Sequence, residues 1–216
     1  MSGLALSWSG GKDCCAALHA LRRSGREPAL LLTTVDEASG RVPHHWVPRE
    51  LIAAQSRALG IPLVEVPIPP LATNEQYEER MRAAFAAPPL DAVREVAFGD
   101  LFLEDLRVYR EEKMAAAGRQ ALFPLWGLDT AALAARIVDA GFEAVIVSVD
   151  PARLDRSFLG RRYDPAELPD DVDPCGENGE LHTFVHDGPG FLHPVAWAAA
   201  GVREVLGFPY LDLRLP

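Results

Sequence analysis

The chain has 216 residues, 49% hydrophobic and 24% charged, values that exclude a disordered tail, a collagen-like repeat and a disulfide-rich miniprotein. A net charge of −10 and a pI near 5.0 disfavour the class of proteins that grip nucleic acid through phosphate contacts, which calls for a basic face. Three cysteines, two of them the neighbours Cys14 and Cys15, do not make a disulfide framework, and no run approaches the ~20 apolar residues of a membrane span. The expectation is a soluble cytoplasmic protein with no membrane partner.

Residues 4–8, 29–35, 62–68, 95–98 and 143–149 are short apolar runs, most rich in Val, Ile or Leu, and read as strands. Between them lie helical stretches. Residues 14–23 put Cys14, Ala17, Leu18 and Leu21 on one face, and 48–59 carry Leu51, Ile52, Ala54, Gln55 and Leu59 before stopping at Gly60. Residues 104–117 are dense in Glu, Arg and Lys and end at Gly118, while 130–140 start at Asp129 or Thr130 and stop at Gly141. Strand and helix in alternation imply a parallel sheet with helices on both faces, whose ligands lie at the carboxyl ends of the strands.

After residue 150 the pattern changes. Residues 161–188 hold eight acidic residues against Arg161 and Arg162, with Pro165, Pro169 and Pro174 interrupting any helix. Residues 184–187 and 210–215 read as strands, and 195–206 fit either a helix face or strands, with strands favoured. The resulting division is a domain over 1–150 and a small β-containing cap over 151–216.

The sharpest local feature is Ser7-Trp8-Ser9-Gly10-Gly11-Lys12-Asp13, between the first strand and the first helix. Two glycines let backbone approach a ligand closely, and the helix N-terminus offers unpaired N–H groups that suit phosphate. A Walker A loop is excluded, because Leu6 and Asp13 stand where it needs Gly and Ser or Thr, and G-x-G-x-x-G is absent. A bare strand-to-helix turn is the alternative reading.

SGGKD resembles the pyrophosphate loop, SGG-x-D-S, of the adenine-nucleotide alpha-hydrolase-like superfamily, with Cys14 in place of the usual Ser. Cys14 as a redox or covalent centre is an alternative, and Cys15 reads as a buried helix residue. Three further segments narrow the resemblance: FGDLFLEDLR at 98–107, FPLWG at 123–127 and CGENGELHTFVHDGP at 175–189. Together they resemble the diphthine-ammonia ligase family, including its bacterial relatives of unsettled substrate. The last segment is similar to that family's EGGE-(Y/F)-x-T-(F/L)-V-x-DGP, with Asn178 for the second Gly and His182 where many members have Glu.

That resemblance implies an α/β, Rossmann-like ATP domain followed by a small C-terminal α+β substrate domain. It implies a reaction in which a substrate carboxylate, small-molecule or protein-borne, is activated as an acyl-adenylate with release of pyrophosphate and then amidated by ammonia. By the same resemblance Ser7, Ser9, Gly10, Gly11, Lys12 and Asp13 bind ATP, with Lys12 and Asp13 also catalytic, and Thr33 and Thr34 lie where adenosine is held. Asp100 and Asp105, with Glu104 beside them, are candidates for Mg²⁺, although acidic residues that open a helix are also favoured by its dipole. Glu177 and Glu180 are candidate catalytic groups, and Asn178, His182 and Thr183 candidate substrate contacts, His182 as a group titrating near neutrality.

Cys175, His182 and His186 lack the paired spacing of a zinc site. His44 and His45 either line the nucleotide pocket or sit on a surface loop, and Trp126 and Gly127 at a strand end read as packing more than function. The acidity beside the substrate motif suggests a substrate bearing positive charge, and a homodimer is one arrangement the resemblance leaves open. Two other readings remain: an ATP-binding sensor without ligase activity, and a tRNA-modifying pyrophosphate-loop enzyme, which the acidic charge disfavours.

Overall fold

The computed structural model describes residues 3–216. Strands β1 (Leu4–Ser7), β2 (Leu30–Asp36), β3 (Leu63–Ile68), β4 (Glu95–Ala97) and β5 (Gln120–Leu122) form a parallel sheet in the order β3-β2-β1-β4-β5. Parallel neighbours need crossovers, supplied by α1 (Lys12–Arg23), α2 (Arg49–Leu59), α3 (Asn74–Phe85) and α4 (Glu104–Ala116). The strand alternation sorts the two faces. Leu4, Leu6 and Leu31 pack with Leu18 and Leu21 of α1 and Leu51 and Ile52 of α2, whereas Ala5, Leu30, Leu32 and Val66 pack with Phe85 of α3 and Met114 of α4. This is the expected α/β Rossmann-like sheet with helices on both faces.

α5 (Thr130–Asp139), capped by the Asp129 carboxylate, which accepts the Ala132 N–H at 2.8 Å, leads into a second sheet. That sheet is antiparallel, in the order β7-β6-β9-β8, and comprises β6 (Glu143–Val149), β7 (Leu181–Asp187), β8 (Ala198–Val205) and β9 (Phe208–Arg214). One core cluster joins both sheets through α1 and α5, taking in Leu18, Ile137, Ile146 and Phe184.

Two readings of the sequence are corrected here. Residues 143–149 do not complete the parallel sheet; they form β6, paired antiparallel with β7 and β9. Ala144 to Val149 are all buried, so the run shows no alternation that could reveal its direction or its sheet. A domain division at 150 would cut β6 from the strands it pairs with. The fifth parallel strand is instead β5, whose Gln120, Ala121 and Leu122 are exposed or half-buried and include no Val or Ile to mark a strand. α3 adds a helix to the expected pattern, opened by a complete capping box of Thr73 and Gln76 that is visible in the sequence as T-x-x-Q. The stretch 195–206 resolves as β8, exposed along nearly its whole length.

The strand order reverses between β1 and β4, and in such sheets the crevice above that point receives ligands. The loop 8–11 follows β1 and the segment 98–103 follows β4, so both reach this crevice. Gly99 lies against the first turn of α1: a Cβ there would meet the Asp13 carbonyl and the Cys14 amide nitrogen at 3.1–3.2 Å. Gly99→Ala should therefore push the β4 loop off α1 and lower stability by ~1–3 kcal/mol. Urea unfolding would measure this; a midpoint unchanged from wild type would show the contact to be soft.

Candidate functional site

The loop after β1 turns at Gly10, whose φ of 82° suits glycine, and delivers Lys12 into the first turn of α1. Lys12 is 1% exposed. Its Nζ donates to Asp13 at 2.9 and 3.1 Å and to the Cys175 carbonyl, and stands 5.5 Å from the Tyr163 ring centroid. Burial alone would lower the Lys12 pKa, but the Asp13 carboxylate outweighs it, with help from Tyr163 and Cys175, so the ammonium is held above its ordinary value. The ring is fixed in turn by the Tyr163 hydroxyl, which donates to the Pro174 carbonyl at 2.6 Å.

β7 closes over the same loop. The Lys12 N–H donates to Thr183 Oγ1 at 3.0 Å, and the Val185 N–H donates to the Gly10 carbonyl at 2.9 Å. The His45 ring lies with Nδ1 2.9 Å from the Thr183 carbonyl. Ser9 remains half-buried with only long contacts, 3.4 Å from the Gly11 N–H and 3.7 Å to Cys14 Sγ. The Cys14 thiol donates to the Gly11 carbonyl at 3.0 Å, so it is turned to the helix's own backbone and not to the mouth of the loop. Ser7 ends β1, partly buried.

Thr33 lies in β2, 2% exposed, and its Oγ1 has no hydrogen-bond partner; Thr34 beside it is half-exposed. A buried hydroxyl without a partner costs free energy, which a polar ligand reaching past the end of β1 to Thr33, midway along β2, would recover. The features that fit a nucleotide are this hydroxyl, the adaptable Ser9, and an α1 N-terminus whose cap residue Gly11 supplies no side-chain bond.

Glu177 bridges the two halves of the crevice. Its carboxylate accepts the Leu101 N–H at 2.7 Å, tying the segment before β7 to the loop after β4, and its own N–H donates to Asp173 at 2.8 Å. Burial raises its pKa to about 7; the Leu101 and Phe102 N–H groups oppose the rise, and Asp13 and Asp100 reinforce it. The carboxyl group therefore titrates where an acid–base catalyst is most useful.

Other sequence candidates are placed differently. Glu180, 1% exposed, accepts the backbone and side-chain N–H groups of Asn178, both at 3.0 Å, with Arg153 3.7 Å away. Glu180 and Asn178 thus close a turn together. His182 does not titrate near neutrality: burial, with His45 4.6 Å away between ring centroids and His44 6.2 Å away, holds it well below its ordinary value. Burial likewise lowers His45 to about 4. Thr183 spends its hydroxyl on the loop backbone.

Asp100 is paired with the Arg110 guanidinium, while Glu104 and Asp105 are exposed in the first turn of α4. Among the described residues no group of three or more His, Cys, Asp or Glu could hold a metal ion. Asp100 and Asp105 therefore form no protein-only site, and a bound Mg²⁺ would depend on phosphate oxygens and water for most of its ligands. Much of the acidity of 161–188 is spent locally: Asp164 caps a turn, Asp173 accepts the Glu177 N–H, and Glu180 binds Asn178.

Sequence reasoning missed Tyr163, the Cys175 carbonyl and Arg110 as partners of the site. Cys175 and Thr183 lie 163 and 171 positions from Lys12, and no spacing rule joins such distant residues.

Comparison with known proteins gives two family matches. Residues 1–118 match the profile described as diphthamide synthase N-terminal domain, and residues 129–196 the profile described as diphthamide synthase C-terminal domain. One solved structure, a predicted subunit of tRNA methyltransferase from Methanocaldococcus jannaschii, is 15% identical with a TM-score of 0.46, covering 86% of this chain and 97% of its own. No curated protein matches the chain. Among the described residues no helix is long and apolar enough to cross a membrane.

The raised Glu177 carboxyl sets a pH dependence. The folded chain holds this proton up to about pH 7, whereas the unfolded chain releases it near 4.5, so ionisation opposes folding increasingly as pH rises through that window. Glu177→Gln cannot ionise, and its Oε1 can still accept the Leu101 N–H. The melting temperature of wild type minus that of Glu177→Gln should therefore fall between pH 5 and 7.5. Parallel curves over that range would mean that Glu177 is already ionised at pH 5.

Proposed function

The chain belongs to the diphthamide synthase family, a family of pyrophosphate-loop, ATP-using enzymes, and on that premise we propose that it is an ATP-dependent ligase forming a C–N bond. A substrate carboxylate attacks the α-phosphate of ATP and releases pyrophosphate, leaving an acyl-adenylate. Ammonia then adds to the activated carbonyl and AMP departs, giving the amide. A carboxylate is a poor electrophile, so adenylation supplies the leaving group, and the protein's work is to position the reactants and neutralise developing charge. Mg²⁺, carried on the phosphates, would add positive charge there.

The observation that carries this reading is Glu177, a carboxyl poised at about 7 in the switch-point crevice beside the loop after β1. In its ionised form it takes the proton that ammonia must lose as the amide forms. Ser9, the Gly11 N–H and the α1 N-terminus hold phosphate oxygens, Thr33 lies toward the nucleoside with Thr34 on the opposite face of β2, and Lys12 and Asp13 fix the loop's charge and shape. The substrate, a small-molecule or protein-borne carboxylate, enters from the β4 side in this proposal, and the setting is the cytoplasm.

The test is a pyrophosphate-release assay with ATP, Mg²⁺, ammonium and a panel of carboxylates. Wild type should yield AMP and pyrophosphate, and Lys12→Ala should lose at least 100-fold in rate, its folding checked by circular dichroism. Glu177→Gln should lower kcat by ~10²-fold or more with little change in the KM for ATP. Formation of ADP would overturn the ligase reading, and ATP binding with no turnover on any carboxylate would favour a sensor.

A further inference from the structure

Gln55, on α2, is fully buried and belongs to neither the loop nor any motif, yet its amide reaches three backbone or ring groups of the site. Nε2 donates to the Gly10 carbonyl at 2.9 Å and to the Val185 carbonyl at 2.6 Å, while Oε1 accepts the Trp8 indole N–H at 2.9 Å. The orientation of the amide is forced: reversed, it would turn its oxygen toward two carbonyls and its NH₂ toward an indole N–H. Both donors and the acceptor are thus engaged, so the side chain has no second arrangement of equal energy.

The consequence falls on one peptide plane. The Gly10 carbonyl accepts from Gln55 Nε2 and from the Val185 N–H, which occupies both its lone pairs. In a trans peptide the carbonyl and the following N–H point in opposite directions. Fixing the Gly10 carbonyl toward α2 and β7 therefore aims the Gly11 N–H the other way, toward Ser9, where it makes only the 3.4 Å contact and is free for a stronger acceptor. Gly10 leaves no slack on the pinned side, since a Cβ there would lie 2.7 Å from Gln55 Oε1 and 2.6 Å from Ile52 Cδ1.

We infer that Gln55 is a positioning residue that orients the Gly11 N–H toward a phosphate of the bound nucleotide and locks the loop to β7 of the second sheet. This rests on the nucleotide reading above. It gives Gln55 a duty in phosphate affinity separate from any duty in core packing, because it acts on the direction of one N–H and not on the pocket for the base.

Calorimetric titration of Mg·ATP, pyrophosphate and adenosine into wild type, Gln55→Met and Gln55→Glu tests it, beside thermal unfolding of each. Gln55→Met keeps the volume and loses the donors. It should unfold cooperatively, bind ATP and pyrophosphate at least tenfold more weakly, and bind adenosine as wild type does. Gln55→Glu should bind ATP weakly at pH 8 and regain affinity as the pH falls and its protonated carboxyl again donates to a carbonyl; this holds even if the Met variant fails to fold. Equal ATP affinity in wild type and Gln55→Met would overturn the inference, as would equal losses for ATP and adenosine, which mark a merely structural residue. Failure of wild type to bind either ATP or pyrophosphate would overturn the nucleotide reading itself, and this inference with it.

Discussion

The buried Lys12 ammonium is the constraint on which the rest of the site depends. An isolated ammonium taken out of water costs several kcal/mol, and the cost is offset only where carboxylate and carbonyl oxygens are placed around it. Here one partner, Asp13, is adjacent in sequence, while the Cys175 carbonyl and the Tyr163 face come from the chain that surrounds the second sheet. The lysine can be buried only when that chain is docked. Assembly of the second sheet on the first and formation of the loop's native shape are therefore one event.

The same docking gives the crevice its walls. On the β2 side, Thr183 and Val185 of β7 hold the loop backbone, and His45 packs against Gly11, where an added Cβ would lie 2.5 Å from its ring. On the β4 side, Glu177 takes the Leu101 N–H, and Gly99 allows the loop after β4 to approach α1. At the far end, Asp212 of β9 pairs with both Arg41 and Arg203, linking the loop after β2 to the C-terminal hairpin. Its carboxyl lies below the ordinary value although burial acts to raise it, because the two guanidinium groups outweigh that burial. The polar groups of the second sheet are thus spent mainly on shaping loops of the first, and Glu177 is the carboxyl whose environment leaves it titrating near neutrality.

The parallel sheet was readable where short apolar runs alternate with helical stretches. β1, β2, β3 and β4 follow apolar runs and α1, α2 and α5 their apolar spacing, with Gly60 closing α2 and Asp129 opening α5, while the charged α4 is marked by Gly118 after it. The pattern failed at β6, whose uniform burial hides its direction and its sheet, and at β5, whose Gln120, Ala121 and Leu122 are exposed or half-buried and include no Val or Ile. At the site, the loop and Glu177 were legible as motif residues. The roles of Glu180, Asn178 and His182 were not, because their chemistry is set by neighbours: Asn178 occupies Glu180, and His45 crowds His182.

The sequence by itself determined that a glycine-rich turn joins a first strand to a first helix, that strands and helices alternate to residue 140, and that an acidic segment follows. Those features are local, fixed by periodicity, glycine and capping within a few residues. Only the tertiary structure decided which sheet β6 joins, which groups besides Asp13 surround Lys12, and that Gln55 grips both Trp8 and Gly10. Each of these depends on groups brought together across 32 to 163 positions of chain, where burial, and not spacing, sets the partner and the charge.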